Sequence, residues 1–300
     1  MSGLALVVLI GVFWGLNWPA VKFILSEIPP WTTRAIGMSC GAVLLSVLAV
    51  VFKQTLRLPP AERGRMMVAG LLSILGFNIL VAFGQLNTET STAAIIAFTM
   101  PMWAAVFSVL YLSEKLNARR LASLVVGMLG LSLLIFEDFG GFVARPLGPL
   151  FMLGAAISWA AGTVVLKSHA WSIKPIAQAA WMMGVSSPPA IIAAIVFEYH
   201  GSISAPSGAV MATLAYHIIL PMVICYVAWS VLVARLPASV AAMGTLLVPI
   251  VGVFSAGLLL GEELGWHKLG ALALVLLSIV LTFARMPRSA NGSGRKGRRS

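Results

Sequence analysis

The sequence predicts an all-α integral membrane protein with ten transmembrane helices arranged as two inverted five-helix repeats. Hydrophobic residues make up 60% of the chain and charged residues only 10%, whereas about a quarter of the residues in a soluble domain are charged. Apolar stretches of about 20 residues, the length that crosses a bilayer, follow one another along the chain. A proline-centred segment also returns 148 residues after its first copy.

The apolar stretches define the predicted spans and their grouping. The ten spans are residues 4–25, 32–52, 66–86, 91–113, 118–136, 148–168, 175–197, 208–234, 238–260 and 265–285. The first five form one repeat over residues 1–143, and the others form a second repeat over residues 144–285. Residues 286–300 are basic and poor in apolar side chains, so we expect a disordered cytoplasmic tail.

The repeated segment has a proline at its centre in both copies. Residues 91–116 contain Pro101, and residues 239–264 contain Pro249 at the equivalent position. A proline lacks the backbone N–H and clashes with the preceding turn of a helix. We therefore expect Pro101 and Pro249 to be hinges of two broken helices. Paired broken helices in corresponding halves of a membrane chain indicate a transport site.

A second correspondence predicts how the two halves are oriented. Trp14 and Lys22 in the first span match Trp159 and Lys167 in the sixth, at an offset of 145 residues. Because each repeat has an odd number of helices, every helix of the second repeat would run opposite to its counterpart. This inverted arrangement is typical of many secondary transporters.

The distribution of basic residues predicts the orientation in the membrane. With a cytoplasmic N-terminus, sixteen of the twenty Lys and Arg residues fall on the inner side, and the tail is included among them. The four on the outer side are Lys22, Arg34, Arg145 and Lys268. This asymmetry follows the positive-inside rule and predicts an inner-membrane protein with both termini in the cytoplasm. The net charge of +11 therefore indicates contact with the membrane surface and not binding of nucleic acid.

The sequence gives no indication of an enzyme, a metal site or a cofactor. Cys40 and Cys225, the only cysteines, lie in different apolar spans without the spacing of a metal site. The motif HExxH is absent, and the single aspartate, Asp138, excludes an aspartate pair.

Three features recur in both halves of the chain: an early tryptophan, an Ala-Ala pair ahead of the repeated proline, and a glutamate near the end of the repeated segment. The residues are Trp14, Trp159, Pro101, Pro249, Glu114 and Glu262. With these features the chain resembles the EamA family of the drug/metabolite transporter superfamily. The resemblance implies ten helices, both termini inside and export of metabolites. In its aromatic content the chain is similar to the YddG-type amino-acid exporters of that superfamily.

Three tryptophans lie near the middle of predicted spans: Trp14, Trp103 and Trp159. An indole at that depth needs an acceptor for its N–H or a cavity to face. We expect the three to line one substrate cavity, with Asn17 one helical turn from Trp14. The second half has Val251 where the first has Trp103, so the lining would be asymmetric. Packing within the bundle is the alternative.

Uncharged polar side chains and one histidine complete the predicted substrate site. Asn78 and Thr99 have the depth for substrate contact, and Thr163 is a further candidate. Their alternative is interhelical hydrogen bonding, worth about 0.6–2 kcal/mol per bond. His217 is the only histidine within a span, and Pro221 leaves its carbonyl without the usual helical donor. Two roles are open for His217. It could stabilise that kink, or it could contact substrate or act as a proton-sensitive switch.

Glu114 and Glu262 each end a helix shortly before the next one begins. A carboxylate at such a position can accept hydrogen bonds from the backbone N–H groups of a helix N-terminus. We therefore predict that both are structural caps of the helices that follow them. Proton coupling is the alternative, and the lack of any mid-span Asp or Glu disfavours it.

Together these patterns predict a transporter that exports small metabolites from the cell by alternating access. Amino acids with aromatic or other apolar or neutral side chains fit best, because we expect no fixed charge in the cavity. A channel-like facilitator, or an exporter of drugs or other metabolites from the same superfamily, is the alternative. The predicted partners are the small-molecule substrate and the lipid bilayer. Protons as a coupling ion and the oligomeric state are left open.

Overall fold

The computed structural model describes residues 3–112, 118–137, 143, 145–199, 205–229 and 238–283. These residues are helical, with short connections and no β-strand among them. Seven of the helices are long and apolar enough to cross a membrane, and three shorter helices are also apolar. The chain is thus an all-α protein with several membrane-spanning helices. Glu114 and the tail 286–300 lie outside the described residues.

We number the helices in chain order and treat directly continuous helical segments as one. They are α1 (Gly3–Ile24), α2 (Pro30–Val51), α3 (Pro60–Asn87), α4 (Thr90–Ala97 and Met100–Leu112), α5 (Ala118–Glu137), α6 (Leu147–Lys167), α7 (Pro175–Phe197), α8 (Gly208–Trp229), α9 (Ala238–Leu260) and α10 (Trp266–Phe283). The two segments of α4, which are separated by two residues, share one number because they form one candidate span.

Prolines mark the starts of three helices more closely than the limits of the apolar stretches do. Pro30, Pro60 and Pro175 begin α2, α3 and α7, because the missing N–H of proline is not needed in the first turn. Helix α3 therefore begins six residues before the predicted span 66–86. Its first turns are polar and extend the helix beyond its apolar part.

Helix α4 is interrupted where its proline requires it. Pro101 has no N–H to donate to the carbonyl of Ala97, and the first segment of α4 ends at that residue. The carbonyl of Thr99 then accepts from the backbone N–H of Met102 at 2.9 Å and restarts the helix. The equivalent break expected at Pro249 is absent, because α9 is a single helix from Ala238 to Leu260. Neighbouring helices can support the backbone groups that a proline frees within a membrane.

Helices α3 and α8 each contain a π-helical segment, Leu71–Gly76 and Ile218–Ile224 respectively. The two segments begin 147 residues apart, close to the offset of the sequence repeat. A π-helix is rare, and its looser hydrogen-bond ladder is often found at functional sites.

Packing joins helices from the two predicted repeats. Helix α2 packs on α7, α5 on α10, α1 on α9, and α6 on both α3 and α4. Small residues permit the closest of these approaches. A Cβ atom added at Gly11 would lie 2.5 Å from Leu247 on α9, and Gly15 similarly contacts Val251.

The bundle has two chemically different ends. We call one the basic end, because the starts or ends of its helices hold Lys53, Arg57, Arg63, Arg65, Lys167 and Lys174. We call the other the acidic end, because it holds Glu27, Glu89, Glu198, Glu262 and Glu263. Contacts between loops at each end, described below, show that the members of each set lie on the same side.

Candidate functional site

Trp14 connects α1 to the π-helical segment of α8. Its Nε1–H donates to the carbonyl oxygen of Pro221 at 3.0 Å. Its ring also contacts Tyr226 edge-on, with centroids 5.6 Å apart, and Trp229 at 6.1 Å. A π-helical turn leaves carbonyls without their usual helical donors. The indole N–H of Trp14 is the donor to one such carbonyl, that of Pro221.

The other π-helical segment is contacted in a similar way by α6. The hydroxyl of Ser158 donates to the carbonyl of Leu72 at 2.8 Å. The adjacent Trp159 ring contacts Phe77 edge-on, with centroids 4.9 Å apart. Both predicted repeats thus place a tryptophan beside a π-helical segment that belongs to the opposite repeat.

Trp103, the third tryptophan of the predicted cavity, is half-buried on α4. Within the part of the chain that the structure describes, its Nε1 has no hydrogen-bond partner. No ring contact among those residues joins Trp103 to Trp14 or Trp159. The structure therefore places the three on different helices, without direct contact between their rings.

Asn17 and His217 are brought together as a hydrogen-bonded polar pair inside the bundle. The Nδ1 of His217 lies 2.7 Å from the Oδ1 of Asn17. Because an amide oxygen can only accept, the ring donates its Nδ1–H, and Nε2 of the neutral tautomer then carries an acceptor lone pair. His217 is only 1% exposed, and Nε2 has no partner among the described residues. The ring lies against α2, since a Cβ added at Gly37 would be 3.5 Å from Nε2.

Arg34 lies in an unexpected place. We expected it on the outer surface, yet its side chain is only 1% exposed within the bundle. None of its three guanidinium nitrogens has a hydrogen-bond acceptor in the described parts of the chain. It lies one turn before Gly37, the residue that the His217 ring packs against, on the same face of α2. The expectation of no fixed charge near the candidate residues is therefore wrong.

A signal for Arg34 was present in the sequence. Residue 34 falls inside the predicted span 32–52, and an ionisable residue within a span is a functional-site hypothesis by default. Proximity to the span end favoured a surface position, because long basic side chains reach the interface there. Only tertiary packing shows that this side chain points inward.

Two of the other polar candidates, Asn78 and Thr99, bond to carbonyls one turn earlier in their own helices. The Nδ2 of Asn78 donates to the carbonyl of Ile74 at 2.9 Å. The hydroxyl of Thr99 donates to the carbonyl of Ile96 at 2.7 Å, and this residue is fully buried. Thr163 is half-buried on α6. In this arrangement Asn78 and Thr99 stabilise a π-helical segment and a helix break.

Glu262 caps a helix, although not the helix that follows it. Its carboxylate accepts from the backbone N–H groups of Thr90 and Ser91, at 2.6 and 2.8 Å. These groups begin α4, whereas we expected Glu262 to cap α10, the helix that follows it. The partner differs because α9 packs on α4, which brings the end of one helix to the start of the other. Two backbone donors that a helix start leaves unpaired are thereby satisfied.

Similar contacts tie other helix starts at both ends of the bundle. At the acidic end, Glu198 accepts from the N–H groups of Trp31 and Thr32 at 2.7 Å each. At the basic end, the Gln54 side chain accepts from the N–H of Ala177 at 3.3 Å. Each contact joins α2 to α7, at opposite ends of the two helices.

Serine and glutamate form a further pair of contacts, one at each end. Ser207 donates its N–H and hydroxyl to Glu27 at the acidic end, at 2.6 and 2.8 Å. Ser172 donates the same two groups to Glu62 at the basic end, at 3.3 and 3.0 Å. Both ends of the bundle are therefore held by hydrogen bonds between the two predicted repeats.

A polar cavity of about 640 Å³ lies at the acidic end. The residues that line it are Lys22, Leu86, Asn87, Thr88, Glu89, Arg145, Pro146, Leu147 and Glu262. Lys22 donates to the carbonyls of Gln85 and Thr88, and Lys268 forms an ion pair with Glu89. None of the predicted substrate residues lines this cavity.

Comparison with known proteins decides the family. The model of the EamA-like transporter family matches residues 1–136 and again residues 146–284. The chain belongs to the EamA-like transporter family. The resemblance inferred from Trp14, Trp159 and the repeated proline segments is thus confirmed. Members of this family are transporters, a class of proteins that are generally not enzymes.

Relatives of this EamA-like chain cover nearly its whole length. The "Uncharacterized transporter YvbV" of Bacillus subtilis is 28% identical over 272 residues, which are 90% of this chain and 88% of that protein. A "Probable amino-acid metabolite efflux pump" of Salmonella typhimurium is 25% identical over 312 residues, which cover 96% and 98% of the two chains. A protein with the same name from Escherichia coli is 24% identical over 90% of this chain and 91% of its own.

A solved structure supports the same fold for this EamA-like protein. A protein crystal structure matches it with a TM-score of 0.69 at 18% identity, over 93% of this chain and 96% of the other. At this identity the likeness establishes the arrangement of helices alone.

Proposed function

We propose that this EamA-like transporter exports amino acids across the cell inner membrane by alternating access. Side chains that are aromatic, or otherwise apolar or neutral, fit the indole-rich candidate site. The observation that carries the proposal is the matched pair of π-helical segments, each contacted by a helix of the opposite repeat. Such a pair gives an alternating-access mechanism two equivalent places at which one half can move against the other.

The proposed architecture is ten transmembrane helices in two inverted repeats, residues 1–143 and 144–285. Two observations support it. The family model matches the chain twice, once in each proposed repeat. The packing is also paired, since α1 with α9 corresponds to α6 with α4 after exchange of the two repeats. The α2–α7 pair and the α5–α10 pair each consist of two corresponding helices, so each pair is unchanged when the two repeats are exchanged.

The proposed orientation places the basic end and the tail 286–300 in the cytoplasm. Basic residues dominate that end, and the positive-inside rule assigns them to the cytoplasmic side. The acidic end and its polar cavity then face the outside of the cell.

Amino acids are the proposed substrate class because two kinds of support agree. The Salmonella and Escherichia relatives carry a name that specifies amino-acid metabolite efflux. The chain itself offers aromatic and polar side chains within its spans. The proposed substrate-binding residues are Trp14, Asn17, Asn78, Thr99, Trp103, Trp159, Thr163 and His217.

Alternating access requires that the contacts at the two ends open in turn. The acidic end is held by Glu27, Glu198 and Glu262, and the basic end by Gln54 and Glu62. Hydrogen bonds between neutral or charged groups, worth about 0.5–3 kcal/mol each, can be broken and reformed during a transport cycle. We propose Pro101 and Pro249 as the hinges that let α4 and α9 bend.

Transport from proteoliposomes tests this function. Vesicles that contain the purified protein are loaded with a panel of radiolabelled amino acids, with and without a pH gradient. We expect saturable efflux of aromatic and apolar amino acids, and acceleration by unlabelled substrate on the opposite side. Efflux without saturation or counterflow would instead identify a channel-like facilitator. Transport of hydrophobic drugs without amino acids would identify a drug exporter of the same family.

A further inference from the structure

We infer that Arg34 binds the carboxylate of a zwitterionic substrate and that Nε2 of His217 accepts a hydrogen bond from its ammonium group. The inference rests on the proposed function, because it defines the substrate class of that transport site. It adds a residue, Arg34, which was not among the predicted substrate residues.

The first observation is the burial of an unpaired cation. Arg34 is 1% exposed, and Nε, Nη1 and Nη2 all lack an acceptor among the described residues. A buried charge without a partner is strongly destabilising, far more so than an unpaired neutral group. A guanidinium also does not escape this cost by losing its proton, because arginine stays protonated in proteins. Its five donors match the two oxygens of a carboxylate in a bidentate arrangement.

The second observation is the complementary group on α8. With its Nδ1–H bound to Asn17, the neutral form of the His217 ring presents an unpartnered acceptor at Nε2. Nε2 lies against the backbone of α2 at Gly37, three residues after Arg34. A donor for a carboxylate and an acceptor for an ammonium group therefore occupy one face of α2, one turn apart.

The third observation is position within the bundle. Arg34 lies four residues into α2, which is about 6 Å from the start of the helix. His217 lies directly before the π-helical segment of α8, whose Pro221 carbonyl accepts from Trp14. The charged end of a substrate would thus bind at Arg34 and His217, and its side chain would extend towards the indole ring.

Three ligands that share one phenyl ring test both contacts. They are L-phenylalanine, phenethylamine, which lacks the carboxylate, and 3-phenylpropanoate, which lacks the ammonium group. Binding to the purified full-length protein is measured by isothermal titration calorimetry. We expect L-phenylalanine to bind about tenfold or more tightly than either analogue, because each loses a charged hydrogen bond.

Variants assign each preference to its residue. Arg34→Gln should abolish the preference for L-phenylalanine over phenethylamine, and Arg34→Lys should retain part of it. His217→Phe should abolish the preference for L-phenylalanine over 3-phenylpropanoate. It should leave the preference for L-phenylalanine over phenethylamine in place. Arg145→Gln, which changes an exposed arginine at the acidic end, is the matched control and should change neither ratio. If Arg34→Gln does not fold, Arg34→Lys and the ligand series on the unchanged protein still decide the question.

Two results would overturn the inference. One is equal binding of L-phenylalanine and phenethylamine, or no binding of any of the three ligands, by the unchanged protein. The other is an Arg34→Gln variant that is less stable but keeps the same affinity ratios, which would make Arg34 purely structural. The proposed function can fail separately: carboxylate binding through Arg34 without amino-acid efflux would reject export and keep the site. Amino-acid efflux that is independent of Arg34 would reject the site and keep the proposed export function.

Discussion

His217 donates its Nδ1–H to the Oδ1 of Asn17 over 2.7 Å and so joins α8 to α1 inside the bundle. The two residues are 200 positions apart, and they come from different predicted repeats. The contact fixes the tautomer of the ring, and it fixes which ring nitrogen is available to a ligand.

The Asn17–His217 pair should be energetically coupled. Asn17→Ala leaves a buried donor unpaired, so we expect a loss of about 1–3 kcal/mol in the free energy of unfolding. A double-mutant cycle with His217→Phe should give a coupling of about 0.5–3 kcal/mol, measured by denaturant unfolding in detergent. Asn87→Ala is the control, because its side chain bonds to the carbonyl of Phe83 at an exposed site where water can replace it. Additive effects of Asn17→Ala and His217→Phe would argue against this hydrogen bond.

Glu262→Gln should lower stability without changing proton dependence. The variant keeps one acceptor for the start of α4 but removes the negative charge from a helix N-terminus, so we expect a loss of about 0.5–2 kcal/mol. Thermal unfolding measures this loss, and efflux per folded molecule is followed across a pH gradient. Glu263→Gln, an exposed neighbour, should leave both quantities unchanged. A Glu262→Gln protein of normal stability that has lost proton dependence would refute the capping role.

Trp103→Ala and Trp159→Ala should weaken binding of large apolar substrates more than that of small ones. We expect about a tenfold loss for large substrates, roughly 1.4 kcal/mol, because a bulky side chain touches more of the aromatic wall. Affinity for a large and a small amino acid is measured on the same purified variants, together with their thermal stability. If the indoles only pack the bundle, stability falls and affinity stays equal for both substrates.

Chemical labelling tests the orientation. Cys40 and Cys225 are first replaced, and single cysteines are introduced at Glu89, Glu263, Arg63 or a position in the tail. A membrane-impermeant thiol reagent applied to intact cells should label positions 89 and 263 and leave position 63 and the tail unlabelled. Labelling of the tail from outside would reverse the proposed topology, and permeabilised cells control for the reactivity of each cysteine.

Local sequence patterns predicted the helices better than they predicted the contacts between them. Seven of the predicted spans correspond to described helices that are long and apolar enough to cross a membrane, because apolar length and terminal prolines are local signals. The break in α4 was also predictable, since Pro101 cannot donate to Ala97. The continuity of α9 through Pro249 was not, because it depends on support from neighbouring helices.

The errors at the candidate site have a common physical origin. Whether Arg34 faces lipid, water or the bundle depends on the rotation of α2 against α8, which no local pattern specifies. The partner of Glu262 likewise depends on α9 reaching α4, about 170 residues earlier in the chain. The hydrogen bond between Asn17 and His217 links residues that were chosen separately as candidates, and only the fold unites them.

The π-helical segments have a consequence for how the two repeats tolerate insertions and deletions. A single added residue in an α-helix advances the angular phase of everything beyond it by about 100°. The segments Leu71–Gly76 and Ile218–Ile224 absorb such a phase shift, so the faces of α3 and α8 beyond them keep their direction despite an extra residue. Removal of one residue from Leu71–Gly76 should restore an ordinary helix and leave Phe77 facing Trp159. The same change in α8 should leave Tyr226 facing Trp14.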